Sequence, residues 1–132
     1  MKLKLLDNFP QKWERFCLDK VKLDESSAEI FAYDDKGNTI KIFLEDVAHF
    51  QLANESYKVG KFAYLTNNPI DKETFLKGAF FQTYDDDYCK WLVRESDGIF
   101  ESRSEEFSTY MFVFIDHVIE AACANEPICI LK

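Results

Sequence analysis

A β-hairpin pattern in the first half of the chain constrains the fold most. Ser27–Tyr33 is rich in apolar and aromatic residues, and a turn-forming segment, Asp34-Asp35-Lys36-Gly37-Asn38, follows it. Gly37 and Asn38 both tolerate a positive φ, as tight hairpin turns require. Thr39–Glu45 then alternates apolar and polar positions, which is typical of a half-buried strand. The pattern predicts an antiparallel strand pair at the heart of the fold.

The rest of the chain reads as strands that alternate with helices. Further strands are predicted at Val47–Leu52, in an extended stretch over 54–70, and at Ala79–Tyr84, Phe107–Ile115 and Ile128–Leu131. Helices are predicted at Asn8–Leu18, at Asp71–Lys77, from Asp85 or Asp86 to Gly98, and from Asp116 to Asn125. Spacings of three and four residues between apolar side chains support the helices. The charged segment Glu101–Glu106 is predicted to be a loop.

These elements indicate one α+β domain that spans residues 1–132. The 132 residues suit one domain, no linker or internal repeat divides them, and 47% of them are hydrophobic. We expect a single mixed, mainly antiparallel sheet of about five or six strands, with three or four helices packed on it.

Acidic side chains give the chain a net charge of −8, and they concentrate in its second half. Residues 67–132 hold six basic and thirteen acidic side chains, whereas residues 1–66 are nearly neutral. Such a charge repels nucleic acid and anionic membranes, so neither is an expected partner. The functional interpretation is an acidic surface that steers a basic protein partner, and the alternative is a solvated surface that maintains solubility.

Cysteine spacing and hydropathy predict a cytoplasmic protein. The four cysteines form no CxxC pair, no signal peptide is recognised in MKLKLLDNFP, and no apolar run approaches the ~18 residues of a membrane span. The cysteines are therefore interpreted as reduced, small core residues.

No residue constellation indicates catalysis. Asp85-Asp86-Asp87 could ligate Mg²⁺ or Ca²⁺, but helix capping explains these acids without a metal. His49 and His117 are the two histidines, and a structural role is expected for each rather than pairing with a nucleophile. The four glycines lie too far apart for a phosphate-binding loop. We therefore expect no catalytic residue, no metal and no cofactor.

A set of acids and one tryptophan around the helix after Asp86 are the candidate partner-binding residues, because Trp dominates binding hot spots and carboxylates attract basic partners. The set comprises Asp85, Asp86, Asp87, Trp91, Glu95, Glu105 and Glu106. Packing of Trp91 into the core is the alternative for that residue.

The C-terminal part of the chain resembles a known group of proteins. The order of elements in AFFQTYDDDYCKWLVRESDGIFE and FSTYMFVFIDHVIEAACANEPICIL is similar to that of small uncharacterised bacterial proteins interpreted as immunity proteins of polymorphic or contact-delivered toxin systems. The resemblance covers residues 85–132 and, less clearly, 27–55. It implies a cytosolic binding protein and not an enzyme, and it transfers no site residue.

Three functional classes follow from the sequence. The first is a non-enzymatic binding protein, such as an immunity protein, that sequesters a basic partner such as a toxin. The second is a small-ligand binding domain or minor enzyme, with a sheet-side pocket that uses His49 or His117. The third is a self-associating structural module, in which exposed aromatic side chains pair in a homodimer.

Overall fold

Two antiparallel β-sheets form the framework of the protein in a computed structural model, which describes residues 2–11, 16–103 and 105–131. The strands are β1 (Lys2–Leu5), β2 (Cys17–Leu23), β3 (Ala28–Tyr33), β4 (Thr39–Leu44), β5 (Val47–Asn54), β6 (Phe80–Tyr84), β7 (Ser108–Val113), β8 (His117–Cys123) and β9 (Ile128–Leu131). The helices are a 3₁₀ helix (Glu55–Lys58), α1 (Val59–Asn67), α2 (Lys72–Lys77), α3 (Asp87–Glu95) and α4 (Ile99–Ser102).

Strands that are distant in the sequence pair in both sheets. The larger sheet has the order β1-β6-β7-β8-β5, and the smaller sheet has the order β2-β3-β4-β9. Every pairing is antiparallel. β1 and β6 pair across more than 70 residues, and β9 joins the edge of the early hairpin formed by β3 and β4.

The larger sheet is the middle of three layers. One of its faces packs against the smaller sheet, since Phe80 and Phe112 belong to the same buried cluster as Ile30 and Ile42. Its other face packs against the helices: the ring of Phe81 lies 5.9 Å from that of Phe75 on α2. β7 and β8 are buried on both faces, as expected for strands covered from two sides.

The register places two polar residues on the helix-covered face of the larger sheet. Thr109 lies opposite Ala122, which lies opposite His49, and Met111 lies opposite Glu120. Since directly opposed residues point to the same side of a sheet, His49 and Glu120 share the face that the helices cover. This placement creates the candidate site.

The prediction of a single mixed sheet of five or six strands is wrong. The structure has two antiparallel sheets of five and four strands, and strand content (42%) exceeds helix content (26%). Two early strands, β1 and β2, are missing from the prediction: β1 has only four residues, and the alternation of β2 is interrupted by a register shift between Leu18 and Lys20.

Two predicted elements have the wrong type. The predicted helix from Asp116 to Asn125 is the strand β8, in which all residues from Val118 to Cys123 are buried. A strand covered on both faces loses its alternation and can imitate one side of a helix. The extended stretch predicted over 54–70 instead contains the 3₁₀ helix and α1. Asn54 caps the 3₁₀ helix, because its side chain accepts a hydrogen bond from the Ser56 amide.

Several predicted elements are confirmed, and one lies partly outside the described residues. The hairpin, the strands at β5, β6, β7 and β9, and the helices at α2 and α3 lie where expected. Part of the predicted helix Asn8–Leu18 falls on residues 12–15, outside the described ranges. At its described ends the prediction is wrong, because Asn8 has a φ of 63° and Cys17 and Leu18 begin β2. Glu101 and Ser102, expected in a loop, belong to α4.

The helices in the described ranges are all too short or too polar to cross a lipid bilayer.

Candidate functional site

The helix α3 positions the candidate site against the larger sheet. Asp86 caps this helix, because its Oδ1 atom accepts a hydrogen bond from the Cys89 amide at 2.9 Å. The helix ends at Ser96, whose hydroxyl oxygen accepts a hydrogen bond from the Phe100 amide at 2.9 Å. Gly98, with a φ of 85°, turns the chain into α4. The two helices thus form one wall of a cleft.

This aromatic cleft has a volume of about 750 Å³, within the range typical of ligand sites. The start of β5 forms its second wall. Its lining residues are Ser26, Asp46, Val47, Ala48, His49, Trp91, Leu92, Glu95, Ser96, Ile99, Phe100, Arg103, Glu106, Phe107 and Ala124. Most of the lining surface is apolar, and the polar groups lie among aromatic rings.

Two pairs of rings frame the cleft. The His49 and Trp91 ring centroids lie 5.0 Å apart on the β5 side. Phe100 and Phe107 stack at 6.4 Å on the α4 side. The Arg103 guanidinium lies 4.9 Å from the Phe107 ring centroid and donates hydrogen bonds to Glu106 Oε2 from Nε (2.9 Å) and Nη2 (2.7 Å). Arg103 is therefore already engaged at the rim.

His49 is held in place by Tyr88. Its Nδ1 atom lies 2.6 Å from the Tyr88 hydroxyl oxygen, and the two rings are 5.6 Å apart. Burial lowers the pKa of His49, so the imidazole is neutral at pH 7. Burial, and then the negative charges of Glu120 and Asp86, raise the pKa of Tyr88, so its hydroxyl stays protonated.

The lining of the cleft is negatively charged. Asp46, Glu95 and Glu106 contribute three carboxylates, whereas Arg103 contributes one cation and His49 is neutral. Carboxylates beside aromatic faces attract cations, which gain from both the charge and the ring quadrupole. The arrangement therefore favours a positively charged group with an apolar stem.

A buried ion network lies behind the cleft. Lys61 Nζ contacts Asp86 Oδ2 at 2.6 Å, Asp87 Oδ1 at 2.8 Å and Glu120 Oε2 at 2.5 Å. Lys58 Nζ lies 2.5 Å from the other Glu120 oxygen. Burial alone would lower the pKa of Lys61, but Glu120 and Asp86 outweigh it and raise that pKa. Lys61 is thus a charged lysine with carboxylates on three sides.

The same network explains the acids that could hold a metal. The carboxylate oxygens of Asp86, Asp87 and Glu120 lie within 4.8 Å of one another, a spacing compatible with a cation. The Lys61 ammonium contacts all three of them. Together with Lys58, which contacts Glu120, Lys61 offsets two of the three negative charges, and the arrangement is that of a structural ion cluster.

The structure divides the predicted partner-binding residues into three groups. Trp91, Glu95 and Glu106 come together in the aromatic cleft. Asp86 is buried and, with Asp87, binds Lys61. The remaining two, Asp85 and Glu105, are exposed and lie outside the cleft.

Sequence reasoning missed several residues of the cleft and of the network behind it. Lys61 and Glu120 carried a weak signal, since each is a charged residue inside an apolar stretch. Phe100, Phe107 and Arg103 carried none, because their proximity depends on the turn at Gly98. His117, the other histidine, lies at the start of β8 opposite Asn54 and does not line the cleft.

Three of the cysteine thiols, those of Cys89, Cys123 and Cys129, have raised pKa values. Burial, and then the charge of Asp46, raise the pKa of Cys123 to about 12, and burial raises that of Cys129 to about 11. Cys89 lies 3.2 Å from the Thr109 hydroxyl, and burial raises its pKa as well. Thiols with raised pKa values are poor nucleophiles at pH 7.

Comparison with known proteins leaves the function open. No family model and no curated protein matches the chain. Among solved structures, the chain is similar to an uncharacterized protein from Neisseria gonorrhoeae, with 11% identity and a TM-score of 0.43, over 91% of this chain and 94% of that one.

Proposed function

We propose that this protein is a non-enzymatic binding protein that takes a basic side chain of a protein partner into the aromatic cleft. The observation that carries the proposal is the composition of the cleft, in which Trp91 and Phe100 line the same space as the carboxylates of Asp46 and Glu95, whereas Arg103 already engages Phe107 and Glu106. An arginine or lysine has the matching chemistry, since its stem is apolar and its head is cationic.

The partial exposure of Trp91 favours a protein partner. Trp91 is half-buried, so one part of it is held by His49 and Tyr88 while the rest is available at the surface. A rigid, partly exposed tryptophan is a typical anchor of protein interfaces. Exposed acids near the cleft, such as Glu95, would steer a basic partner towards it.

The partner proposed from the sequence fits this chemistry. The resemblance of residues 85–132 implies a binding protein, and the acidic charge of the chain favours a basic partner such as a toxin, which would carry arginine and lysine side chains. The proposal differs in one respect from a diffuse acidic surface: Asp86 and Asp87 contact Lys61, so the cleft and not the acidic triplet is the binding element.

The experiment is a titration of the ¹⁵N-labelled protein with hexa-arginine, followed by NMR, with hexa-glutamate as the reverse-charge peptide. We expect hexa-arginine to shift amide signals of β5, α3 and α4. Glu95→Gln and Trp91→Phe should each weaken binding, and Glu105→Gln is the matched control because this exposed acid lies outside the cleft.

The comparison of the Glu95→Gln and Glu105→Gln variants decides between binding in the cleft and attraction by a diffuse acidic surface. Equal weakening by Glu95→Gln and Glu105→Gln would show that a diffuse acidic field attracts the peptide, and the cleft proposal would fail. It would also fail if hexa-arginine shifted no signal around Trp91.

A small organic amine is the second candidate ligand, because the cleft volume suits a small molecule and His49 lines the site. Phenethylamine is the probe for this class in the same NMR titration. Binding of phenethylamine without any effect of hexa-arginine would favour a small-ligand domain over a protein partner.

A further inference from the structure

The outer face of the smaller sheet carries a second set of interacting groups. The larger sheet separates this face from the aromatic cleft. The residues opposed across the strands are Lys20 with Phe31, Lys22 with Glu29, Phe31 with Lys41, Tyr33 with Thr39, Phe43 with Ile128 and Lys41 with Ile130. Their neighbours along the strands, such as Ile30 and Ile42, are fully buried in the main core cluster. This outer face therefore points away from the core.

One half of the outer face is cationic. The Nζ atoms of Lys20, Lys22 and Lys41 lie 5.1, 5.5 and 6.0 Å from the ring centroid of Phe31. Glu29, which pairs with Lys41 at 2.8 Å, offsets one of the three charges. The zone is therefore positive although the whole chain carries −8.

The other half of the outer face is apolar. Ile128 and Ile130 on the edge strand β9 are 51% and 44% exposed, and they lie beside the half-buried ring of Phe43. Lys41 joins the two halves, because it lies opposite both Phe31 and Ile130. A contiguous surface of exposed aliphatic groups beside cations is typical of an interaction site.

We propose that this outer face binds an acidic segment of a protein partner whose carboxylates contact Lys20 and Lys22 and whose aliphatic side chains cover Ile128 and Ile130. The positive charge of the lysines requires a negatively charged segment, and the aliphatic half of the face requires apolar side chains at one end of that segment. The proposal does not depend on the proposed function of the aromatic cleft.

Two features favour a polypeptide over a nucleic acid or a membrane. Three lysine ammonium groups lie around the Phe31 ring, so this ring is less available for stacking by a base. The charge of the rest of the chain is strongly negative and repels an extended polyanion over a Debye length of ~8–10 Å. A short acidic segment meets mainly the local positive field.

The test is an NMR titration of the ¹⁵N-labelled protein with three separate probes. These are a synthetic peptide that alternates glutamate and leucine, single-stranded oligo-thymidine, and vesicles that contain phosphatidylserine. We expect the peptide to shift amide signals of β2, β3, β4 and β9, and to bind more weakly as salt is added.

Charge reversal supplies the matched variants. The double variant Lys20→Glu/Lys22→Glu should weaken peptide binding by at least about tenfold, because like charges then oppose each other. Lys36→Glu is the control, since this exposed lysine lies in the turn between β3 and β4 and not on the outer face. A circular dichroism spectrum checks that each variant is folded.

Four outcomes would overturn the proposal. The first is a shift of outer-face signals with the oligonucleotide or the vesicles but not with the peptide, and the second is peptide-induced shifts only around Trp91. The third is an equal loss of affinity in the Lys36→Glu control. The fourth is a concentration-dependent shift of β9 signals without any probe, which would indicate that a second copy of this chain binds there. Since the hexa-arginine test uses a different face and a probe of opposite charge, each proposal can fail alone.

Discussion

The Nζ atom of Lys61 lies 2.5 Å from Oε2 of Glu120, although 59 positions separate the two residues in the chain. Lys61 belongs to α1 and Glu120 to β8, so the contact ties the helical layer to the larger sheet. Asp86, the cap of α3, binds the same ammonium. One lysine thus connects α1, α3 and β8.

Removal of the Lys61 charge should destabilise the protein strongly. We expect Lys61→Met to lower the free energy of unfolding by about 3–5 kcal/mol, because Asp86 and Glu120 are then buried without their main cation. Urea denaturation followed by circular dichroism measures the change. The control is Lys77→Met, which breaks an exposed pair with Glu73 and should cost less than about 0.5 kcal/mol. Similar losses in both variants would contradict a structural role for the network.

Acidification should weaken the fold through His49. Burial lowers the pKa of His49 below its ordinary value of 6.5, so the unfolded chain binds a proton there more readily than the folded protein. The free energy of unfolding should therefore fall as the pH drops below about 6.5, and His49→Gln should reduce this dependence. Urea midpoints compared on both sides of that pH give the result. His117→Gln is the control, and an equal reduction in that variant would refute the assignment to His49.

Two glycine substitutions should have opposite effects on the stability of the protein. Gly98 has a φ of 85°, so Gly98→Ala should destabilise the protein by roughly 1 kcal/mol and disturb the turn that places Phe100 in the cleft. Gly60 lies within α1, and a Cβ there would meet open space. Gly60→Ala should therefore stabilise the protein by roughly 0.5–1 kcal/mol. Thermal unfolding by calorimetry compares them, and loss of stability in Gly60→Ala would contradict this account.

The thiol of Cys123 should resist alkylation in the folded protein. It is fully buried, and its pKa is raised to about 12, so very little thiolate is present at neutral pH. We expect iodoacetamide to leave Cys123 unmodified until denaturant is added, as measured by peptide mass spectrometry. Modification at the rate of a free thiol without denaturant would show that β8 opens readily.

Local patterns predicted the elements that depend on neighbouring residues. The hairpin of β3 and β4 was recognisable because its turn residues and its alternation lie within one short segment. The helix α3 was recognisable because Asp86 caps a periodic apolar stripe. In both cases the residues that form the element also identify it in the sequence.

The pairing of strands that are distant in the sequence could not be predicted from local patterns. Nothing in Ile128–Leu131 shows that it joins β4, and β8 lost its alternation because two layers cover it. The cleft depends on such choices: His49 meets Tyr88 only because β5 pairs with β8 under α3. The predicted acids were therefore assigned to one surface, whereas the fold separates Asp86 from Glu95.

The pairing of β1 with β6, of β4 with β9 and of β5 with β8 also sets the order in which the chain can fold during synthesis. The hairpin of β3 and β4 can form early on the ribosome, but β5 must wait for residues 117–123 and the smaller sheet for residues 128–131. Long-range pairings of this kind slow folding. An emerging chain therefore exposes the apolar side of β3 and β4 until the later strands have been synthesised, and it is at this stage that the chain is most prone to aggregate.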